Sequence, residues 1–208
     1  NCDIVDAVDI CTSNDAHFKV AMAAVEAGKP FNLEKPITLT AEEADILAKA
    51  AQEKNVKNMV CFSYRFKAAA RYAKDLIAQG KIGRVYHVNM QYFQAWGLPR
   101  ANCPLVWRYV KSRTGTGALG DLGSHALDLV RFVTNKEYTR VVGHTGTYVH
   151  ERPLLDGKGV GKVDVDDFSN YMADMEDEIS VSFQITRFAY GRGNYQRMEI
   201  YGSEGAIV

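Results

Sequence analysis

The feature that most narrows the fold is an alternation, over residues 8–62, of short apolar runs with longer amphipathic stretches. Strand-length runs at 8–11, 31–33 and 59–62 are separated by stretches of helical spacing at 16–27 and from 40 to about 54. This is how the βα units of a parallel sheet are written, because each strand needs the following helix to cover it. Gly28 closes the first helix, since only glycine enters the left-handed C-cap conformation without penalty. Thr40 followed by Glu43 forms a capping box for the second helix.

Beyond residue 67 the pattern changes. A helix over 68–79 passes through the turn Gly80, Lys81, Ile82, Gly83 into a long alternating strand, 84–93, whose partners must come from later in the chain. After a loop bearing Trp107 and Arg108, the glycine-rich stretch 114–123 leads into a helix ending near Thr134. Alternating segments at 141–149, 168–175, 179–186 and 197–201 complete the pattern, with Glu176 and Asp177 at a hairpin turn and 156–161 as a flexible loop tip. The expected class is α/β plus α+β. A partial Rossmann-like parallel sheet over 1–66 is followed, over 67–208, by a domain with a large, mostly antiparallel open sheet.

Lysine plus arginine number 25 and aspartate plus glutamate 25, with no long block of either sign, so charge provides no footing for nucleic acid or a membrane surface. A small neutral substrate fits better. Cys2, Cys11, Cys61 and Cys103 have no paired spacing, which argues against a disulfide framework and a cysteine-rich zinc site and points to a reducing cytoplasm. No apolar run approaches the roughly 20 residues a membrane helix needs.

Three places carry chemistry. Asp121, His125 and Asp128 stand at helical spacings of four and three, so they share one face, while Leu122, Ala126, Leu129 and Val133 form the packing stripe beside it. A carboxylate one turn before a histidine suits proton transfer. A satisfied helix histidine is an equal reading, and a zinc or manganese site ranks last for want of a fourth ligand. Lys35 follows a buried strand directly and is locked by Pro36, placing it at the carboxyl end of a sheet strand, where open α/β sheets bind ligands. Taken alone it reads as a solvated surface lysine; in a cleft it stabilises negative charge on a substrate oxygen. Glu34 either orients that lysine or marks the strand end. Thr12, Ser13 and Asn14 follow the first strand and either cap the next helix or touch a polar ligand, with His17 in that helix's first turn.

In order along the chain, these residues resemble the glucose-fructose oxidoreductase, inositol dehydrogenase and MocA family. The family's threonine and asparagine turn followed by histidine is matched by Thr12, Ser13, Asn14 and His17, and its Glu-Lys-Pro by Glu34, Lys35 and Pro36. Tyr64, Arg65 and Phe66, the turn at 80–83, and Trp107 with Arg108 follow in family order. Leu119, Asp121, Gly123, His125 and Asp128 fill its longest motif, and 199–205 resembles its closing strand and turn.

The resemblance implies an NAD- or NADP-dependent oxidoreductase acting on a sugar, inositol or related polyol. Lys35 would polarise the substrate oxygen, His125 would act as base, and Asp121 would orient or share that work. Thr12, Ser13, Asn14, His17, Glu34 and Lys35 would border the cofactor, and Asp121 and His125 the substrate; polarity and position add Tyr64, Arg65 and Arg108 as substrate residues, and Trp96 and Tyr190 as packing or substrate residues. It further implies homo-oligomers, dimers or tetramers, built through the C-terminal sheet. The family's opening strand and Gly-x-Gly-x-x-Gly loop have no counterpart here, so the chain reads as one cut into at its front, and as short of its last strands at Val208. Two alternatives stand beside redox chemistry: glycoside cleavage or elimination with transient use of NAD, and a noncatalytic fragment that associates through its sheet.

Overall fold

The structure is a computed structural model that describes residues 4–208; Asn1, Cys2 and Asp3 lie outside the described residues. The first half forms β1 (Val8–Ile10), α1 (Asn14–Glu26), β2 (Phe31–Leu33), α2 (Ala41–Glu53) and β3 (Asn58–Val60). The strands make a parallel sheet in the order β1-β2-β3, with Val8 opposite Phe31 and Phe31 opposite Asn58. Ile10, Phe31 and Leu33 pack against Ala21, Val25, Leu47 and Ala51 of the two helices, the burial that the amphipathic spacing dictates. The Thr40 hydroxyl accepts from the Glu43 N–H at 3.2 Å, while the Glu43 carboxylate reaches the Leu39 N–H rather than that of Thr40. The strands end earlier than expected, leaving Cys11, Cys61 and Phe62 beyond the sheet at its carboxyl edge.

The second half comprises α3 (Ala68–Ala78), β4 (Val85–Phe93), α4 (Lys111–Thr114), α5 (Ser124–Thr134), β5 (Tyr138–Gly146), β6 (Glu151–Pro153), β7 (Val160–Lys162), β8 (Phe168–Met175), β9 (Ser180–Thr186), β10 (Tyr195–Gly202) and β11 (Ala206–Ile207). Six strands form one sheet in the order β11-β10-β4-β9-β8-β5. All neighbours are antiparallel except β4 and β9. That parallel pair is possible because the chain between β4 and β9 is long enough to carry α5 across the sheet. Glu176, Asp177 and Glu178 turn the chain between β8 and β9, with Asp177 and Glu178 at positive φ.

Two expectations need correction. β5 runs over Tyr138–Gly146 and not to residue 149, because the fully buried Asp167 takes the N–H groups of Tyr148 and Val149 at 2.8 and 3.1 Å and draws the chain off the sheet. The loop tip at 156–161 is the end of a hairpin, β6 with β7. The buried Arg152 guanidinium anchors it by donating to the Gly97 and Cys103 carbonyls.

One face of the six-stranded sheet is the core. Val88, Met90, Tyr171, Val181, Phe183, Ile185 and Ile200 meet Ala70 and Ala73 of α3 and Ala126, Leu129, Val130 and Val133 of α5, and Leu122 is buried with them as the stripe predicts. The opposite face is open and carries ladders of polar side chains, among them Gln91 to Gln184 at 2.8 Å and Ser182 to Asn89 at 2.6 Å. Ahead of α5 the chain makes one π-helical turn, Leu119–Gly123, in which the Ser124 N–H reaches back to Leu119 O. Asp166 fastens that turn by accepting from the N–H groups of Gly117 and Leu119 at 2.6 and 2.7 Å. A Cβ on Gly117 would lie 1.8 Å from the Asp166 carbonyl oxygen, so the chain passes only because the residue is glycine. Gly117→Ala is therefore expected to cost roughly 3 kcal/mol, read as a lower urea midpoint with an unchanged slope.

Candidate active site

The site forms where the carboxyl ends of β1 and β2 face the π-helical turn. Lys35 leaves β2 with a cis bond to Pro36, and its ammonium crosses to the second half of the chain. There Nζ donates to the Asp121 carbonyl oxygen at 2.7 Å and to Asp121 Oδ1 at 2.8 Å. The second carboxylate oxygen, Oδ2, takes Nη2 of Arg187 at 3.1 Å. Burial would push the Asp121 carboxyl up, but Lys35 and Arg187 outweigh it and hold it down at about 2. At neutral pH the centre is a carboxylate between two cations.

His125 sits one turn further along, at the start of α5, and is buried to 8% exposure. Its ring packs edge-on against Tyr64 at 4.7 Å and Phe62 at 5.9 Å, and Nδ1 is buried without a hydrogen-bond partner. Burial first, and then the nearby Lys35 ammonium, lower its pKa from 6.5 to about 4, against the opposing pull of Asp121. The imidazole is thus neutral across the physiological range and free to accept a proton.

Two adjoining clefts open on this centre and share Asp121 and Arg108 as common wall. One, of about 280 Å³, is lined by Thr12, Ser13, Asn14, Glu34, Lys35, Pro36, Trp107 and Thr114. The other, of about 420 Å³, is lined by Gln94, Trp96, Cys103 and Val106. Lysine and aspartate thus meet between a polar slot at the ends of parallel strands and a second slot walled by Trp96, while His125 is buried nearby and lines neither.

Comparison with known proteins agrees with this geometry. Residues 2–62 match the family model described as "Oxidoreductase family, NAD-binding Rossmann fold", and residues 70–208 match the GFO/IDH/MocA C-terminal domain. The chain belongs to the GFO/IDH/MocA oxidoreductase family. It is 39% identical to levoglucosan dehydrogenase of Pseudarthrobacter phenanthrenivorans over 98% of its own length and 55% of the relative's, and 30% identical to inositol 2-dehydrogenase of Rhizobium meliloti over 98% and 57%. A solved structure of levoglucosan dehydrogenase in complex with NADH and levoglucosan superimposes with a TM-score of 0.93 at 40% identity, covering 99% of this chain and 54% of that one. An oxidoreductase domain protein from Kribbella flavida gives a TM-score of 0.93 at 42% identity, with the same two coverages. The chain therefore spans about half the length of the family relatives it matches.

Several expected residues take other positions within the family fold. His17 is fully buried beneath the first slot, with Nδ1 2.8 Å from Pro36 O and Nε2 3.2 Å from Thr12 O. It ties the turn after β1 to the end of β2 instead of lining the slot. Glu34 folds back to accept from the Lys35 backbone N–H, so Asp121, not Glu34, orients the ammonium. Asp128 turns away from Lys35 and forms a two-point ion pair with Arg65, which faces the surface beside Lys74 and Arg131 and not the clefts. His125 and Asp128 keep helical spacing within α5, whereas Asp121 lies in the π-helical turn ahead of it, where the α-helical spacing does not hold. Asn14 lines the slot and donates to Thr114 O and Oγ1, Ser13 bonds Asp15 and Arg113, and Tyr190 is exposed, bonded to Arg100.

Sequence reasoning missed Arg187 and Tyr92. The Tyr92 hydroxyl lies 2.6 Å from that of Tyr64, and its pKa is pushed up by burial and then by that bond. A signal existed for Tyr92, because it faces inward with Val88 and Met90 on β4. Among the described residues no three His, Cys, Asp or Glu side chains converge as metal ligands, and no helix is long and apolar enough to cross a membrane.

The pKa displacements set an acid limit on stability. His125 and Asp121 are both depressed, so the unfolded chain binds protons more readily, and stability is whole above about 6.5. It falls first as pH drops from 6.5 toward 4 through His125, a displacement worth about 3 kcal/mol, and again from 3.8 toward 2 through Asp121. A proton NMR titration is expected to place the His125 midpoint near 4, with urea stability declining as pH falls from 6.5 toward that value.

Proposed function

We propose that the protein containing this chain is an NAD- or NADP-dependent dehydrogenase that oxidises a hydroxyl of a sugar, inositol or related polyol. The observation that carries this reading is the Lys35 ammonium held by Asp121 beside a neutral, buried His125, with one polar slot on either side. The first slot fits a nicotinamide. It opens at the carboxyl ends of two parallel strands, and its backbone, hydroxyl and amide groups at Thr12, Ser13 and Asn14 can bond a carboxamide. Relatives solved with NADH, and one with NADH and levoglucosan, support the assignment. The second slot, with Gln94, Trp96 and Arg108, suits an uncharged ring bearing hydroxyls. We place the domain boundary between residues 66 and 67, where the chain enters α3.

When bound, the oxidised nicotinamide supplies the acceptor for a hydride from the substrate carbon. The chain's own residues handle the oxygen. Two of the three Lys35 ammonium hydrogens are taken by Asp121, which leaves the third for the substrate hydroxyl. His125, neutral and close to Lys35, receives the hydroxyl proton, and Lys35 stabilises the charge left on oxygen. Tyr64 fixes the plane of the imidazole.

The full-length protein is expected to form net reduced nicotinamide with a sugar or polyol, and Lys35→Met and His125→Asn to lose on the order of 10²–10⁴ in kcat while still binding cofactor in calorimetry. Sugar release without net cofactor reduction would favour glycoside cleavage or elimination instead, and no nicotinamide binding would leave only a noncatalytic role.

We also propose that the protein is a homo-oligomer, a dimer or tetramer, assembled through the open face of the six-stranded sheet. That face presents Val142 opposite Met172, both well exposed, among its polar ladders. Val142→Lys with Met172→Lys is expected to lower the mass seen by light scattering toward the monomer; an unchanged mass would place the interface elsewhere.

A further inference from the structure

We propose that Arg187 is a positioning residue for this centre: its guanidinium holds Asp121 from behind while backing the Trp96 wall of the second slot, so that both keep one orientation toward bound substrate. The proposal rests on the function proposed above. Arg187 directly follows β9, and its side chain is fully buried. Nη2 donates to Asp121 Oδ2 at 3.1 Å and to Gly117 O at 3.0 Å, at the entry to the π-helical turn. The guanidinium carbon lies 4.7 Å from the centre of the Trp96 ring. The backbone is fastened on both sides: the Arg187 N–H donates to Asp167 O at 3.1 Å, and its carbonyl accepts from Gly97, the neighbour of Trp96, at 3.0 Å.

The two oxygens of Asp121 therefore have separate employment, Oδ1 with Lys35 and Oδ2 with Arg187. Releasing Oδ2 would free the carboxylate to rotate about its last torsion, and the ammonium would lose its fixed place. On the other side, Trp96 donates its indole N–H to Gln94 Oε1 at 2.5 Å, Gln94 Nε2 reaches the Tyr92 hydroxyl at 3.4 Å, and Tyr92 meets Tyr64 against His125. One guanidinium thus backs both arms of the ring of residues around the reacting oxygen. A purely structural role explains this poorly. Arg187 Nε and Nη1 are buried without partners, whereas a buried arginine retained for stability would be fully bonded, and an apolar side chain would fill the space at less cost.

The charged and titratable groups facing Asp121 are Lys35 from the end of β2, Arg187 from the end of β9, Arg108 from the turn before α4, His125 from α5 and Tyr92 from β4. In this chain, Arg187→Met is expected to raise the Asp121 carboxyl midpoint, followed by carbon-detected NMR, from about 2 part of the way toward 3.8, and to shift the Trp96 indole resonance. In the full-length protein it is expected to lower kcat by about tenfold or more with cofactor affinity unchanged, and Arg187→Lys to recover part of that loss. If Arg187→Met does not fold, Asp121→Asn decides: the Arg187 guanidinium and Trp96 indole resonances must both move. An unmoved Asp121 midpoint in folded Arg187→Met, or unmoved Arg187 and Trp96 resonances in Asp121→Asn, overturns the proposal. If the full-length protein oxidises no sugar or polyol, the functional reading fails, while the titrations still decide what Arg187 holds.

Discussion

The site depends on a single ammonium shared between two halves of the chain. Lys35 is delivered by the parallel sheet and Asp121 by the π-helical turn ahead of α5, and neither half presents a usable geometry without the other. Taking both charges largely out of water is costly unless the remaining donors and acceptors are satisfied. Here all but one are: Lys35 meets both a carbonyl and a carboxylate oxygen of one residue and keeps one hydrogen for substrate, and the other carboxylate oxygen meets Arg187. The pair fixes the spacing between the two slots, since Asp121 lines both.

Burial is the first reason the histidine is neutral, and the charge around it adds to the effect. One carboxylate faces Lys35 and Arg187, with Arg108 nearby, so the centre carries an excess of positive charge. An imidazolium added to it would be both repelled and desolvated, and the proton is expelled. The same excess favours any negative charge that develops on an oxygen held by Lys35. Depressed basicity at His125 and readiness to stabilise an oxyanion are two consequences of one arrangement.

The sequence made legible those parts of the site encoded by short, local patterns. Lys35 is fixed by a strand on one side and Pro36 on the other, and the burial of Leu122, Ala126, Leu129 and Val133 follows from their spacing. Distant partnership was not legible. Arg187 lies far along the chain from Asp121, at a strand end where no periodicity singles out one arginine among several. Arg65 and Asp128 look like site residues by order, yet they satisfy each other because a buried carboxylate takes the first guanidinium within reach. The π-helical turn is hidden for a similar reason. Its glycines permit many conformations, and the two N–H bonds from Asp166, outside the motif, select one of them.

The interior behind the second slot shows what such a site costs the fold. Tyr109 is fully buried between two guanidiniums, with Arg152 4.0 Å and Arg187 5.9 Å from its ring centre, and its own hydroxyl is unpartnered. Burial pushes that phenol up, so it stays neutral; Arg152 receives only a ring face and carbonyls where a carboxylate would have matched its charge, while Arg187 also holds Asp121. Arg152 secures the hairpin β6–β7 and Arg187 secures Asp121, so each incompletely bonded cation keeps a neighbouring element at a fixed distance from the slot. A core selected for stability alone would replace this cluster with aliphatic side chains and lose that registration. Incomplete bonding among well-packed aromatic rings is consistent with a wall built for position first and stability second.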